Sequence, residues 1–384
     1  MLHGRRQRPD QPVRGAGSVR PASRPAIPGG ARSGTAPGRT GPLGTQWRPA
    51  PRSGDVMNEA TAPEDWATER GPAVIHLFPG QGDFTVSALV RACRQGGPLR
   101  RPAEDVLPEV DRAGTEHGLP PLTPWLLGPK PPSTRRLSEA PTGTLQLTLY
   151  AASLMVHQGL CAAHGSPAAL VAVSFGEIAA LAAAGAYSVA DGARIAYDLA
   201  RILATCPGGL TLLACSERTA AAILHRLGTA QVVVAVVNDG QETIVSGPEA
   251  ELEAVEKCAA GRDVATARLR LPFSSHHPAL GPQAEEFAAA VRSRTVRPAR
   301  MPVYSAVAGR VYTQNEDLAR RLADCLVRPA HLPRLLHTLT AHRQANAFFE
   351  AGTGSALSHS VQRVLAGHPH VSVHAPLADA AFPW

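Results

Sequence analysis

The stretch ALVAVSFGEIAALAAAGAYS, residues 169–188, decides the fold. Ala169–Val173 is a short apolar run, the pattern of a buried strand. Ser174-Phe175-Gly176-Glu177 follows, and then small and apolar residues at helical spacing. Strand, Ser, Phe, Gly, helix is the order of a nucleophile elbow, in which a tight turn lifts the Ser hydroxyl above the end of a sheet. A helix starting there offers backbone N–H groups and a positive dipole end to a developing oxyanion. A Ser in this place also suits a plain helix N-cap, and the position usually held by the first Gly of the elbow is Ala172.

Working outward, Ala73–Phe78 reads as a buried strand broken by Pro79-Gly80. TGTLQLTLYAASLMVHQGLCAAHG, ending at Gly165, has helical spacing, and helices fill roughly 176–204. Residues 99–136 are Pro-rich and read as irregular with one short helix. Between 207 and 270 the order is strand, helix, strand, strand, helix, strand, the ferredoxin-like pattern. MPVYSAVAG then reads as a strand, 316–342 as helical and NAFFEAG as the final strand. The expected fold is α/β: an α/β-hydrolase-like large subdomain with a parallel sheet, from 71–206 and 271–384, and an inserted ferredoxin-like small subdomain at 207–270. Residues 1–70, rich in Pro, Gly and Arg, are expected to form a disordered basic tail.

The 384 residues are 44% apolar and carry a net charge of +7. That charge sits in the tail, since residues 1–56 hold ten Arg and two Asp, a balance of +8. The remainder is nearly neutral, so a nucleic-acid partner is not expected. Met57 is a candidate alternative start. No apolar run is long enough to span a bilayer, and no apolar segment of the secretory type opens the chain. Cysteines 93, 161, 206, 215, 258 and 325 form no CxxC pair, so zinc and redox motifs lack support. Reduced thiols in a cytoplasmic, monomeric protein with no membrane contact are the expectation.

A Ser nucleophile needs a base. Of fifteen His, the candidates are His276 and His277 in LRLPFSSHHPALGP, just past a strand and a Pro. Spacing alone does not choose between them.

Six segments, in order, resemble the acyl-carrier-protein transacylase family. That family includes the malonyl-CoA:acyl-carrier-protein transacylases of fatty-acid synthesis and the acyltransferase domains of polyketide synthases. FPGQG (78–82) resembles its N-terminal signature, VSFGE (173–177) its HSxGE, and NDGQETIVSG (238–247) its subdomain strand pair. FSSHHPAL (273–280) is similar to its YASHS or PSH segment, and PVYSAVAG (302–309) and FFEAGTGSAL (348–357) to its last two signatures. The resemblance runs from about 72 to 376.

It implies Ser174 as the acyl-accepting nucleophile and His276 as its base, with no acidic third member. The implied oxyanion hole is the backbone N–H of Gln81 and of Phe175. A backbone carbonyl, assigned to Cys325 by counting back from Pro329, would hold the His ring. Gln146 matches a structural Gln near the elbow, and Asn238 matches a family position of unassigned role. The implied substrates are 4′-phosphopantetheine thioesters of coenzyme A or an acyl carrier protein, with no bound cofactor and no metal.

The departures concern the acyl group. Malonyl-type members have an Arg twenty-five residues beyond the Ser, which would bind the substrate carboxylate in bidentate fashion. That position is Leu199 here, in a register supported by Gly185 and Arg194. A two-residue slip would bring up Arg201, which in register points about 200° around the helix. Val173 stands where the family has His, Asp83-Phe84 where it has a small polar residue and Gln, and Thr353 where it has Pro. Leu199, Val173 and Phe273 are therefore expected to shape an apolar pocket for a starter acyl, aminoacyl or dipeptidyl group. Malonyl transfer, hydrolysis of carrier-bound acyl chains and non-catalytic binding of a carrier protein are the alternatives.

Overall fold

The computed structural model describes residues 73–384 except Gln95, Arg343 and Gln344; the expected tail and the Met57 start lie outside the described residues. The strands are β1 (Ala73–Phe78), β2 (Ala169–Ala172), β3 (Gly209–Leu213), β4 (Val233–Val237), β5 (Thr243–Gly247) and β6 (Thr266–Arg268). They continue with β7 (Val303–Ser305), β8 (Arg310–Val311), β9 (Ala330–His331), β10 (Ala345–Glu350) and β11 (Ser372–His374).

Two sheets result. The larger has the order β11-β10-β1-β2-β7-β8 and is parallel throughout except at its β8 edge. Its central strands are almost wholly buried, as a parallel sheet covered on both faces requires. The smaller has the order β6-β3-β5-β4-β9. Its first four strands are antiparallel and, with helices Glu217–Leu227 and Glu249–Ala260, make the βαββαβ unit. Leu213, Ile223, Val245, Leu252 and Val255 form its own apolar core. β9 joins this sheet parallel to β4, although it lies some sixty residues further along the chain. No helix among the described residues is long and apolar enough to cross a membrane.

Register positions the site. Phe78 at the end of β1 lies opposite Ala172 at the end of β2, and Ala172 lies opposite Ser305 at the end of β7. The loops carrying FPGQG and SFGE therefore leave adjacent strands at the same edge, the carboxyl end where open α/β sheets place their ligands.

Three local expectations are corrected. Residues 99–136 hold helices Arg100–Thr115, Leu122–Leu127 and Thr134–Ser138 rather than one short helix. Val106, Leu107, Val110 and Ala113 bury one face of the first, and that burial outweighs Pro108 within it. The helical stretch 316–342 is interrupted by β9, where Pro329 cannot continue the helix. NAFFEAG is not the last strand, since β11 follows it.

Candidate active site

Ser174 lies in the turn between β2 and helix Gly176–Ala183, with φ of +55°. A positive φ is uncommon for a residue with a Cβ and is a strain kept at functional turns. The turn is as tight as it is because of Gly176, where a Cβ would lie 2.2 Å from the Phe78 carbonyl oxygen. The Ser174 hydroxyl does not cap the helix. It lies 2.7 Å from Nε2 of His276, a residue 102 positions away that also has φ of +55°.

His276 is buried, and its Nδ1 lies 2.7 Å from the Arg328 carbonyl oxygen. A carbonyl only accepts, so Nδ1 carries the proton and Nε2 presents its lone pair to the Ser174 hydroxyl. Burial lowers the His276 pKa to about 4, against the upward pull of the Arg328 carbonyl. The ring is therefore neutral at pH 7. His277 is occupied elsewhere: its Nε2 meets the Gln231 carbonyl at 3.0 Å and its Nδ1 accepts the Ala279 N–H. The choice that spacing left open falls on His276.

The orienting carbonyl is a correction. It belongs to Arg328, not Cys325. Helix Leu318–Val327 ends before Arg328, which is extended (φ −110°, ψ 146°) as the residue before a Pro tends to be. That conformation turns the Arg328 carbonyl out of the helix ladder. Cys325 lies within the last turns, its Sγ 4.0 Å from the Ser174 carbonyl oxygen, packed behind the elbow. The residue before Pro329 was the available sequence signal.

Of the two expected oxyanion donors, Gln81 lines the cavity and Phe175 directly follows Ser174. The Gly176 and Glu177 amides are taken by the Val173 and Ser174 carbonyls, whereas the Phe175 and Gln81 amides have no acceptor among the described residues. Gln146 donates its side-chain amide to the Gln81 side chain at 2.9 Å, fixing the loop rather than lining the pocket. Asp83, two residues on, accepts from the Ser355 and Ala356 amides. It thereby ties the first signature to the last, where Thr353 Oγ1 also accepts from the Thr85 amide. Sequence reading noted Asp83 and Thr353 only as departures.

Behind the elbow, Glu177 is fully buried and accepts from Ser305 at 2.6 Å and from Tyr312. Burial raises its pKa to about 7. This network holds the first turn of the elbow helix against β7.

Ser174 and His276 open onto a cavity of about 880 Å³, mouth included. Leu210, Leu212, Val236 and Ile244 from the smaller sheet form one wall, so the site lies between the sheets. Val173 and Asn238 are among the lining residues; Leu199, Phe273 and Gln146, also pocket candidates from the sequence, are not. Leu199 and Phe273 are buried in the large core, where apolar side chains gain from leaving water. Arg201 forms an ion pair with Glu286 at 2.9 Å, both about half exposed, so it faces away from the cavity. The charged side chains on the wall are Asp83, Glu242 and Glu350, and no Lys or Arg is among the lining residues. Glu242 pairs with Arg363 at 2.9 Å. Glu350 accepts from the Ser358 amide, and its pKa is raised to about 7, chiefly by burial and also by Asp83.

Comparisons with known proteins concern the family and the fold. The family described as "Acyl transferase domain" matches residues 76–377. The spectinabilin polyketide synthase system protein NorA′ of Streptomyces orinoci is 30% identical over 262 residues, which is 64% of this chain but 7% of that protein's length. Among solved structures, the malonyl-CoA:acyl carrier protein transacylase FabD of Xanthomonas oryzae pv. oryzae superimposes with a TM-score of 0.69 at 22% identity, covering 82% of this chain and 97% of that one. A loading acyltransferase from the avermectin modular polyketide synthase gives 0.65 at 23% identity, covering 77% and 91%; at these identities the likeness concerns the fold. With the family match spanning most of the chain, the protein belongs to the acyl transferase domain family and is an acyltransferase.

Proposed function

We propose that the protein moves an acyl group without a free carboxylate, an aminoacyl or dipeptidyl group above all, between pantetheine thioesters and an acyl carrier protein in polyketide-type biosynthesis. Ser174 is the covalent carrier. Its hydroxyl gives its proton to His276 Nε2 while Oγ attacks the thioester carbonyl. The Gln81 and Phe175 amides take the oxyanion. The Arg328 carbonyl keeps Nδ1–H in place and favours the imidazolium that forms. Collapse breaks the C–S bond, and His276 returns the proton to the departing pantetheine sulfur. In the second half-reaction a new pantetheine thiol gives its proton to His276 and its sulfur attacks the acyl-Ser carbonyl; the C–O bond breaks, His276 returns the proton to Ser174 Oγ, and the acyl group leaves as the new thioester. No step needs a metal or redox group.

The observation that carries the substrate reading is the charge on the cavity wall: three carboxyl side chains and no Lys or Arg. A malonyl carboxylate entering there would lose its hydration and gain no cation, a cost of several kcal/mol. An ammonium group would meet the Asp83 carboxylate and the carboxyl of Glu350, whose pKa is raised to about 7 and whose ionised form the ammonium would favour. Leu199 and the outward Arg201 support the same reading, since neither supplies a guanidinium to the cavity.

The test is acyl-Ser174 formation, followed by intact mass, with alanyl-, acetyl- and malonyl-pantetheine at equal concentration. The expected order is alanyl, then acetyl, with malonyl at least about tenfold slower, equivalent to 1.4 kcal/mol. Malonyl labelling as fast as alanyl would establish malonyl transfer instead. Rapid loss of acyl-Ser174 to water when carrier protein is present would establish hydrolysis.

A further inference from the structure

Away from the catalytic cavity, β1 and helix Thr144–His164 bring together His76, His157 and Cys161, and we propose that these three side chains form a binding site for a single Cu(I) ion. His76 Nδ1 lies 2.9 Å from His157 Nδ1. Cys161 Sγ lies 4.0 and 3.6 Å from the two ring nitrogens of His157. One ligand atom from each residue falls within 4.8 Å of the others. Metal–ligand bonds of about 2.0–2.3 Å set ligand atoms roughly 3.3–3.8 Å apart, so small side-chain adjustments close the site.

The sequence concealed this group. His157 and Cys161 are one helical turn apart on one face, but the third ligand comes from a strand 81 residues away. No CxxC-type spacing links the three residues.

The protein alone leaves the group poorly satisfied. His76 is fully buried, and among the described residues its Nε2 has no hydrogen-bond partner. The facing Nδ1 atoms can share only one proton, so one ring must accept from the other. The rings pack edge-to-face on one another and against Phe349 and Phe78, but a buried polar atom without a partner is costly.

Charge and softness select the ion. Thiolate and imidazole suit Cu(I) and Zn(II). Cu(I) with one thiolate and two neutral imidazoles makes a neutral group, whereas Zn(II) leaves a net positive charge in the interior, at the cost that burying charge carries. Three ligands suffice for Cu(I), and structural zinc asks for four. Cys161 is partly exposed and gives the ion its way in. On binding, the Cys161 thiol proton leaves to solvent. The bound ion would pin the long helix to β1 two residues before Phe78, and the same two elements carry Gln146 and the loop of Gln81.

The test titrates the full-length protein with Cu(I) held by a chromophoric chelator under reducing, anaerobic conditions. Wild type should remove one equivalent, and its melting temperature should rise with the metal. Cys161→Ser and His157→Leu, verified as folded by circular dichroism and by unchanged Ser174 acylation without metal, should each weaken uptake at least about tenfold. X-ray absorption should show sulfur and nitrogen scatterers together. Failure to remove Cu(I), equal uptake by folded Cys161→Ser, or tighter retention of Zn(II) by the same residues would each overturn the proposal.

Discussion

The burial of His276 makes a quantitative demand on how acylation depends on pH. A His of ordinary pKa near 6.5 is only about 9% neutral at pH 5.5, so a reaction using it as base would slow about tenfold between pH 8 and 5.5. With the His276 pKa lowered to about 4 by burial, the ring is still about 97% neutral at pH 5.5, and the acylation rate should hold nearly constant. The fold must survive the measurement, and linkage sets that limit. The unfolded chain binds the His276 proton more tightly than the folded one. This residue therefore costs no stability above pH 6.5 and destabilises the fold progressively from there down to about pH 4. At pH 5.5 the loss is roughly 1.4 kcal/mol, a modest part of the 5–15 kcal/mol usual for a domain. The assay mixes enzyme held at pH 7.5 with acyl-pantetheine in buffers from pH 8 to 4.5, quenches within seconds and weighs the acyl-enzyme. A plateau down to about pH 5, falling below it, is the expected profile. An inflection near pH 6.5 with a neutral acyl donor that persists in Glu350→Gln, and so does not come from the Glu350 carboxyl with its pKa raised to about 7, would show that the base is a solvated imidazole, and the buried Ser174–His276 pair would not be the reacting form.

Ser174→Ala should abolish acyl-enzyme formation, and His276→Ala should slow both half-reactions by roughly 10² to 10⁴; in the same mass assay, greater damage from His277→Ala would reverse the choice of base. Gly176→Ala drives a Cβ into the Phe78 carbonyl at 2.2 Å, so denaturant titration should report a loss of about 3 kcal/mol or more, or no soluble protein. Arg201→Ala removes only a half-exposed ion pair with Glu286, so stability should change by less than about 1 kcal/mol and Ser174 labelling should not change; loss of malonyl labelling in this variant would show that Arg201 reaches the substrate.

The elements that make the site were legible because their local patterns and their tertiary fates agree. Ala73–Phe78 and the run beginning at Ala169 are apolar without alternation, and both became central parallel strands buried on two faces. The βαββαβ order was legible because each helix ends at a Gly and β4 and β5 are rich in β-branched residues. The region from 99 to 136 was not, because its prolines signal irregularity while the apolar face of Arg100–Thr115 signals a helix. Burial of that face against the long helix decided the outcome. β9, two residues long, has no pattern of its own. It exists because Pro329 ends a helix and β4 offers an unpaired edge.

The catalytic pair could be named from motifs, but its geometry depends on positions that no motif contains. The imidazole is held by Arg328, whose only signal is the proline that follows it. That same proline leads directly into β9, which pairs with β4 beside the cavity wall. The residue that orients the base is therefore also the junction joining the large sheet's connections to the small sheet. The substrate side shows the opposite relation. Leu199 was singled out as the floor of the pocket, yet it withdraws into the core, and the cavity takes its electrical character from Asp83 and Glu350 instead. A leucine in place of an arginine removes a charge from the pocket without putting its own side chain there. Apolar substitutions at a binding site can act in this way, by what they no longer project. In the proposed reading, a carboxylate would be disfavoured by the acidic wall and by the absence of a Lys or Arg among the cavity-lining residues to offset its lost hydration.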